Sequence, residues 1–245
     1  MFRWILLWLT VLMGGACSSY YYAPNTLHTP HLKERHDTQV SLGGLTGPEF
    51  SGFELHGSYA VSHRWALMAN YMDLAGGSTS GESRGRGRLG EGALGLYFPL
   101  GEETSTGLFL GWGAGNVLYQ HEGGVRSRLN FHRYFGQYYV SVERGAFRLG
   151  TALRLNYLQY RKGWIDYRIG EPHVSKIELI EERSPFLFPE IGVSAGVGSR
   201  PIWVNFFFNV MEYQPAEELG LAEYTAGVSM VFQMDYFWRA EKLKK

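Results

Sequence analysis

From Thr38 to Phe232, apolar residues recur at every second position in about ten separate runs, a period that belongs to strands and not to helices. Phe147, Leu149, Thr151, Leu153, Leu155 and Tyr157 share one parity, while Arg148, Gly150, Ala152, Arg154 and Asn156 share the other. A helix would mix those two sets around its axis. Ile202, Val204, Phe206, Phe208 and Val210 repeat the pattern, with Asn205 and Asn209 beside Trp203 and Phe207 on the opposite parity. The links between runs alternate in length. Short ones lie at Ser62 to Arg64, Leu100 to Glu103, Arg144-Gly145 and Ser199 to Pro201; long polar ones lie at Gly76 to Arg88, His121 to Arg128 and Arg161 to Ser184. Alternating strands joined by short and long links in turn predict a closed antiparallel transmembrane β-barrel of about ten strands, apolar outside and polar inside, with short turns in the periplasm and long loops outside the cell.

The same parity assigns the remaining strands. Tyr134, Tyr138, Val140 and Val142 point outward against Arg133, Gln137, Ser141 and Glu143; Phe53, Leu55, Tyr59 and Val61 point outward against Glu54, His56 and Ser58. Leu94, Leu96 and Phe98 flank the strand of Glu91, and Ile191, Val193, Ala195 and Val197 that of Glu190. Leu108, Leu110, Trp112 and Ala114 oppose a glycine-rich inner face, Trp65, Leu67, Ala69 and Tyr71 mark the third strand, and Val40 and Leu42 a short first one. A soluble barrel would need the opposite assignment, with the Arg148/Arg154 face in water.

The chain divides into residues 1–16, a signal peptide; 17–37, an irregular leader; 38–234, the barrel; and 235–245, a periplasmic tail. Arg3, the apolar run from Trp4 to Met13 and the small Gly14-Gly15-Ala16 make a secretory signal, and nothing after it approaches the length of a transmembrane helix. Thirty-two Gly and 16% aromatic residues suit tight turns and aromatic girdles. With 23 basic and 23 acidic side chains the chain has no net field to hold nucleic acid.

Cys17 is the single cysteine, so no disulfide framework exists. Leu12 to Cys17 resembles the lipidation site of bacterial lipoproteins, with Gly14 where that pattern usually has Leu; the resemblance implies a diacylglycerol on the thiol and a fatty acid, as palmitate, on the new amino terminus. The alternative is cleavage after Ala16, leaving a free thiol. Tyr20-Tyr21-Tyr22 and Pro24-Asn25 in the leader resemble Gram-negative outer-membrane lipoproteins whose mature form opens with Cys, serines, a tyrosine cluster and a Pro-Asn pair before a small barrel. The leader then reads as a tether between lipid and barrel. Thr225 to Phe232 resembles the C-terminal signal read by the barrel-insertion machinery, although the chain continues to Lys245. In general plan the chain resembles the small outer-membrane-protein-A-like barrels. An even strand number puts both ends of the barrel in the periplasm, where a lipid on Cys17 would enter the inner leaflet of the outer membrane.

Inward parity gathers Glu54, His56, Glu91, Arg133, Glu143, Arg148, Arg154 and Glu190, charges that must pair in a hydrogen-bonded luminal network. A polar plug is the reading that this favours, and a narrow channel is the alternative. Glu54-x-His56-x-Ser58 resembles the His-x-Ser pair of lipid A deacylases, but its inward parity takes it away from lipid, so the chain reads as structural or surface-interacting, with a barrel enzyme acting on outer-membrane lipid as the alternative. No cofactor is implied. His28, His31 and His36 match no metal-site spacing and read as solvated. Arg84, Arg86 and Arg88 lack the Lys-Ser/Thr ending of a phosphate loop and are placed to meet lipopolysaccharide phosphates. The strand-like halves of residues 161–184, with the turn signal Gly170-Glu171-Pro172 between them, predict a hairpin projecting beyond the bilayer, where an extracellular partner would dock.

Overall fold

The computed structural model describes residues 20–48, 50–77, 84–120, 126–165, 172–213, 219 and 221–236. Among the described residues lie ten strands, β1 (Thr38–Thr46), β2 (Phe50–Ala60), β3 (Trp65–Gly77), β4 (Arg84–Leu100), β5 (Thr104–Gln120), β6 (Arg126–Arg144), β7 (Phe147–Ile165), β8 (Phe186–Ser199), β9 (Ile202–Met211) and β10 (Tyr224–Gln233), and between β7 and β8 a helix, α1 (Pro172–Arg183). Each strand pairs antiparallel with its neighbours in sequence, and β1 pairs with β10 from Gln39 opposite Gln233 to Thr46 opposite Ala226, which closes the barrel. Closure removes the sheet edges that would otherwise leave backbone groups unpaired in lipid.

Parity governs the two faces. Leu94, Leu110, Leu153, Ile191 and Phe206 stand exposed on the outside, while Glu54, Glu91, Arg133, Arg154 and Glu190 are buried inside. Trp112, Tyr134 and Tyr157 lie directly opposite one another on β5, β6 and β7, an outward aromatic row at one border of the apolar belt. Trp65 and Phe147 are exposed near the other border, beside the short turns.

β4 to β7 run 17 to 19 residues, well beyond the about 9–11 needed to cross a bilayer. Arg84, Arg86 and Arg88 therefore belong to β4, and Arg126 and Arg128 to β6, instead of the loops expected there. Above the aromatic row the faces exchange character. Leu89, Val117, Leu129, Phe131, Leu158 and Tyr160 turn inward and are buried, while the arginines turn outward. Strand pairing continues past the membrane because an apolar inner face and a polar outer face suit a barrel standing in water.

The hairpin expected within residues 161–184 is replaced by α1. Ile177 and Ile180, one helical turn apart, are buried in the apolar mouth of the barrel, and Pro172 stands at the first helical position. Of the expected turn signal, Pro172 begins α1 instead, and Gly170-Glu171 lie outside the described residues. Link lengths depart from alternation once: β1 and β2 are joined through residues 47–49 at the end that carries the long links, with Gly47 N–H donating to the Phe50 carbonyl at 2.9 Å.

From Tyr20 to Asp37 the leader, expected as a tether between lipid and barrel, runs largely inside the barrel. Tyr20 lies edge-on to Phe50, and Tyr22 bridges to Leu221, both at the long-link end. Leu32 accepts a hydrogen bond from Ser105 Oγ at 2.8 Å, and His36 N–H donates to the Ala60 carbonyl, both at the short-turn end. The starting strand and the closing strand thus meet at the short-turn end, as their number requires, whereas Tyr20 stands at the opposite end.

Candidate functional site

The lumen is built in three layers around this leader. Nearest the long links is an apolar layer, in which Tyr21 and Tyr22 pack with Met72, Tyr119, Phe131, Phe186, Phe188 and α1. Nearest the short turns lies a second apolar cluster, with Leu27 and Leu32 of the leader among Met68, Tyr97, Phe109, Phe135 and Tyr139. Between them sits an ionic layer whose members come from β2, β4, β6, β7 and β8.

Asn25 joins that layer together. Its side-chain carbonyl accepts from Arg133 Nη2 at 2.7 Å and from Arg154 Nη1 at 2.8 Å, and its Nδ2 donates to Glu91 Oε2 at 2.9 Å. Arg133 Nε donates to Glu91 Oε1 at 2.7 Å and its Nη1 donates to the Tyr22 hydroxyl, which in turn donates to Glu190 Oε1 at 2.6 Å. Arg154 lies 3.7 Å from Glu91 and 3.8 Å from Glu190, donates twice to Gln137 Oε1, and sits 4.4 Å above the Phe135 ring. Each guanidinium is fully buried and shares its charge among several acceptors, the condition under which buried ions are tolerated.

Glu143 and Arg148 do not join this group. They form a second one at the short-turn end, where Glu143 lies 3.6 Å from Arg148 and 3.2 Å from Arg200 and accepts from Gln233 at 3.0 Å. Arg148 Nη2 also donates to the Thr29 carbonyl at 2.9 Å and to Gln39 at 2.7 Å, fastening the leader there. His31 stands 3.7 Å from Glu143.

Glu54 accepts from the Thr26 backbone N–H at 3.0 Å and from the Thr26 hydroxyl, and lies 3.2 Å from His56 Nε2. His56 Nδ1 is 2.9 Å from Asn70 Oδ1, and its ring stacks on that of His28 at 5.4 Å. The Ser58 hydroxyl contacts His28 Nε2 at 3.4 Å, not His56. A carboxylate–imidazole–hydroxyl relay on β2 is therefore not assembled, and its three members are 4% exposed or less. The leader histidines, read from sequence as solvated, are buried at His28 and His31 because the leader lies in the lumen. Among the described residues no cluster of three His, Cys, Asp or Glu side chains could hold a metal ion.

Two wall glycines admit the leader. A Cβ on Gly150 would meet Thr29, and a Cβ on Gly192 would fall 2.9 Å from that of Leu27. Two voids beside the leader, about 50 Å³ at the apolar mouth and about 20 Å³ beside Thr29, have room for little more than a water or two. Tyr22, Asn25 and Thr26 were missed as network members by reading the sequence, since nothing in an aperiodic polar segment says that it will be drawn inside. Cys17 lies outside the described residues.

The outer surface carries the other charged feature. Arg84, Arg86, Arg126 and Arg128 with Trp164 bound an open depression of about 580 Å³ above the aromatic row, and Arg88 and Arg161 lie beside it on the same outward face. Asp73 holds Arg86 through two hydrogen bonds, at 3.0 and 2.8 Å, and Arg88 through one at 3.0 Å.

No protein-family model and no curated protein matches this chain. Solved structures with a similar shape include the outer membrane protease OmpT of Escherichia coli, at 9% identity and TM-score 0.49 over 85% of this chain and 100% of that one. The translocator domain of the autotransporter NalP from Neisseria meningitidis gives 9% and 0.43 over 80% and 86%; Ail, the attachment invasion locus protein of Yersinia pestis, gives 11% and 0.39 over 81% and 99%. The chain's own closed sheet, outward apolar belt and aromatic row make it a membrane-spanning β-barrel of the outer-membrane type.

Proposed function

We propose that this protein is a lipid-anchored, permanently plugged outer-membrane barrel that acts through its outer surface, by holding lipopolysaccharide at its rim, and neither conducts nor catalyses. The observation that carries this reading is the outward arginine cluster standing directly above the Trp112-Tyr134-Tyr157 row. A lipid whose acyl chains lie against the apolar belt would present its phosphates at that height, and guanidinium forks bind phosphate oxygens in pairs. The filled lumen supports the same reading from the inside, because it leaves no interior surface to act on a substrate. A deacylase would need its hydroxyl within reach of lipid, and Ser58 is sealed behind the leader.

The test is the lipopolysaccharide that stays with the detergent-purified protein. Replacing Arg84, Arg126 and Arg128 by Gln removes charge-assisted contacts of about 1.5–3 kcal/mol each, so bound lipopolysaccharide falls roughly tenfold or more while the barrel keeps its heat-modifiable migration. Unchanged lipopolysaccharide content would overturn the proposal.

A further inference from the structure

We infer that the mature amino terminus is presented on the outer face of the membrane, delivered there through the lumen of its own barrel, so that Cys17 faces the outer leaflet and not the inner one. The part concerning a lipid on Cys17 rests on the lipoprotein reading above; the topology does not.

The argument is one of direction and reach. Leader contacts progress in order along the barrel, from Leu32 with Ser105 beside the short turns, through Thr29 with Arg148, Thr26 with Glu54 and Asn25 with Glu91, to Tyr22 with Leu221 and Tyr20 with Phe50 beside the long links. Short turns mark the periplasmic end and long links the external one. Tyr20 therefore stands outside the bilayer, at the same end as α1 and the arginine rim. Cys17 precedes it by three residues, a span of about 11 Å at full extension. The apolar band of such a barrel is about 25 Å tall, so the thiol cannot reach back to the periplasmic leaflet. Among the described residues the leader itself occupies the lumen, and the voids beside it at the apolar mouth and at Thr29 are about 50 and 20 Å³. Nor is the leader loosely placed. Carbonyls of His28, Thr29 and Leu32 each accept from a wall side chain, at 2.7, 2.9 and 2.8 Å, and Asn25 is held by two guanidiniums and a carboxylate.

Cys17 being the single cysteine makes the test clean. Intact cells producing the wild type, Ser19→Cys or Lys245→Cys are treated with a maleimide-polyethylene glycol too large for porins, and lysed cells serve as the reference. The expected result is labelling of Ser19→Cys in intact cells and of Lys245→Cys only after lysis. Wild type that stays unlabelled even after denaturation has a blocked Cys17, as lipidation requires; wild type labelled in intact cells has a free thiol outside, which removes the lipid and keeps the topology. Labelling of Ser19→Cys only after lysis overturns the inference.

Discussion

Asn25 shows how much of the interior depends on one neutral side chain. Two guanidiniums and a carboxylate converge on it, and none of the three has water to turn to. Asn25→Leu would leave Arg133 and Arg154 each short of an acceptor, at a cost of roughly 3 kcal/mol or more. The expected outcome is a lower temperature for loss of the fast-migrating unboiled band on electrophoresis, with Asn25→Gln milder than Asn25→Leu; an unchanged transition would mean that Asn25 only fills space. The charged residues on the strands were legible in the sequence, since Glu54, Glu91, Arg133, Arg154 and Glu190 keep to the parity opposite the apolar one and the structure has them inside. Their division into two groups was not, because parity fixes a face and says nothing of height along it. Glu143 and Arg148 share that face and yet lie at the short-turn end.

Among the elements, α1 is the one most at odds with its sequence. Isoleucine and valine invite a strand, but Ile177 and Ile180 are three apart, and the need to cover an apolar mouth decides the matter. Ile180→Asp would place a carboxylate among buried aromatic rings and forfeit about 2 kcal/mol of burial. The cap should then open while the strands persist, so trypsin would cleave after Arg183 roughly tenfold faster or more in detergent, with heat-modifiable migration retained. Unchanged cleavage would show that α1 is held by something other than its isoleucines. The strands themselves were legible where lipid enforces one parity over many residues. Their outer extensions were not, since above the membrane the apolar and polar faces trade places, and Arg84 to Arg88 then looks like the start of a loop.

For the molecule as a whole, two environments are written on the same strands. In the bilayer the barrel wears its apolar side outward, and beyond it the barrel closes over an apolar core as a water-soluble protein does. The ionic layer lies between that core and a second apolar cluster, so an ion would have to shed its water twice to pass. Planar-bilayer recordings of the wild type should therefore remain silent at high protein loading; discrete conductance steps would show that the plug yields. There is also an order of events implied in the join between β1 and β10. Those are the first and last strands, and the segment held inside precedes the first. A thread laid along the inner face before the final strand arrives needs no passage through a closed and filled ring, and in that order secretion of the amino terminus and completion of the barrel become a single act, as in a rotaxane whose macrocycle is cyclised about the axle.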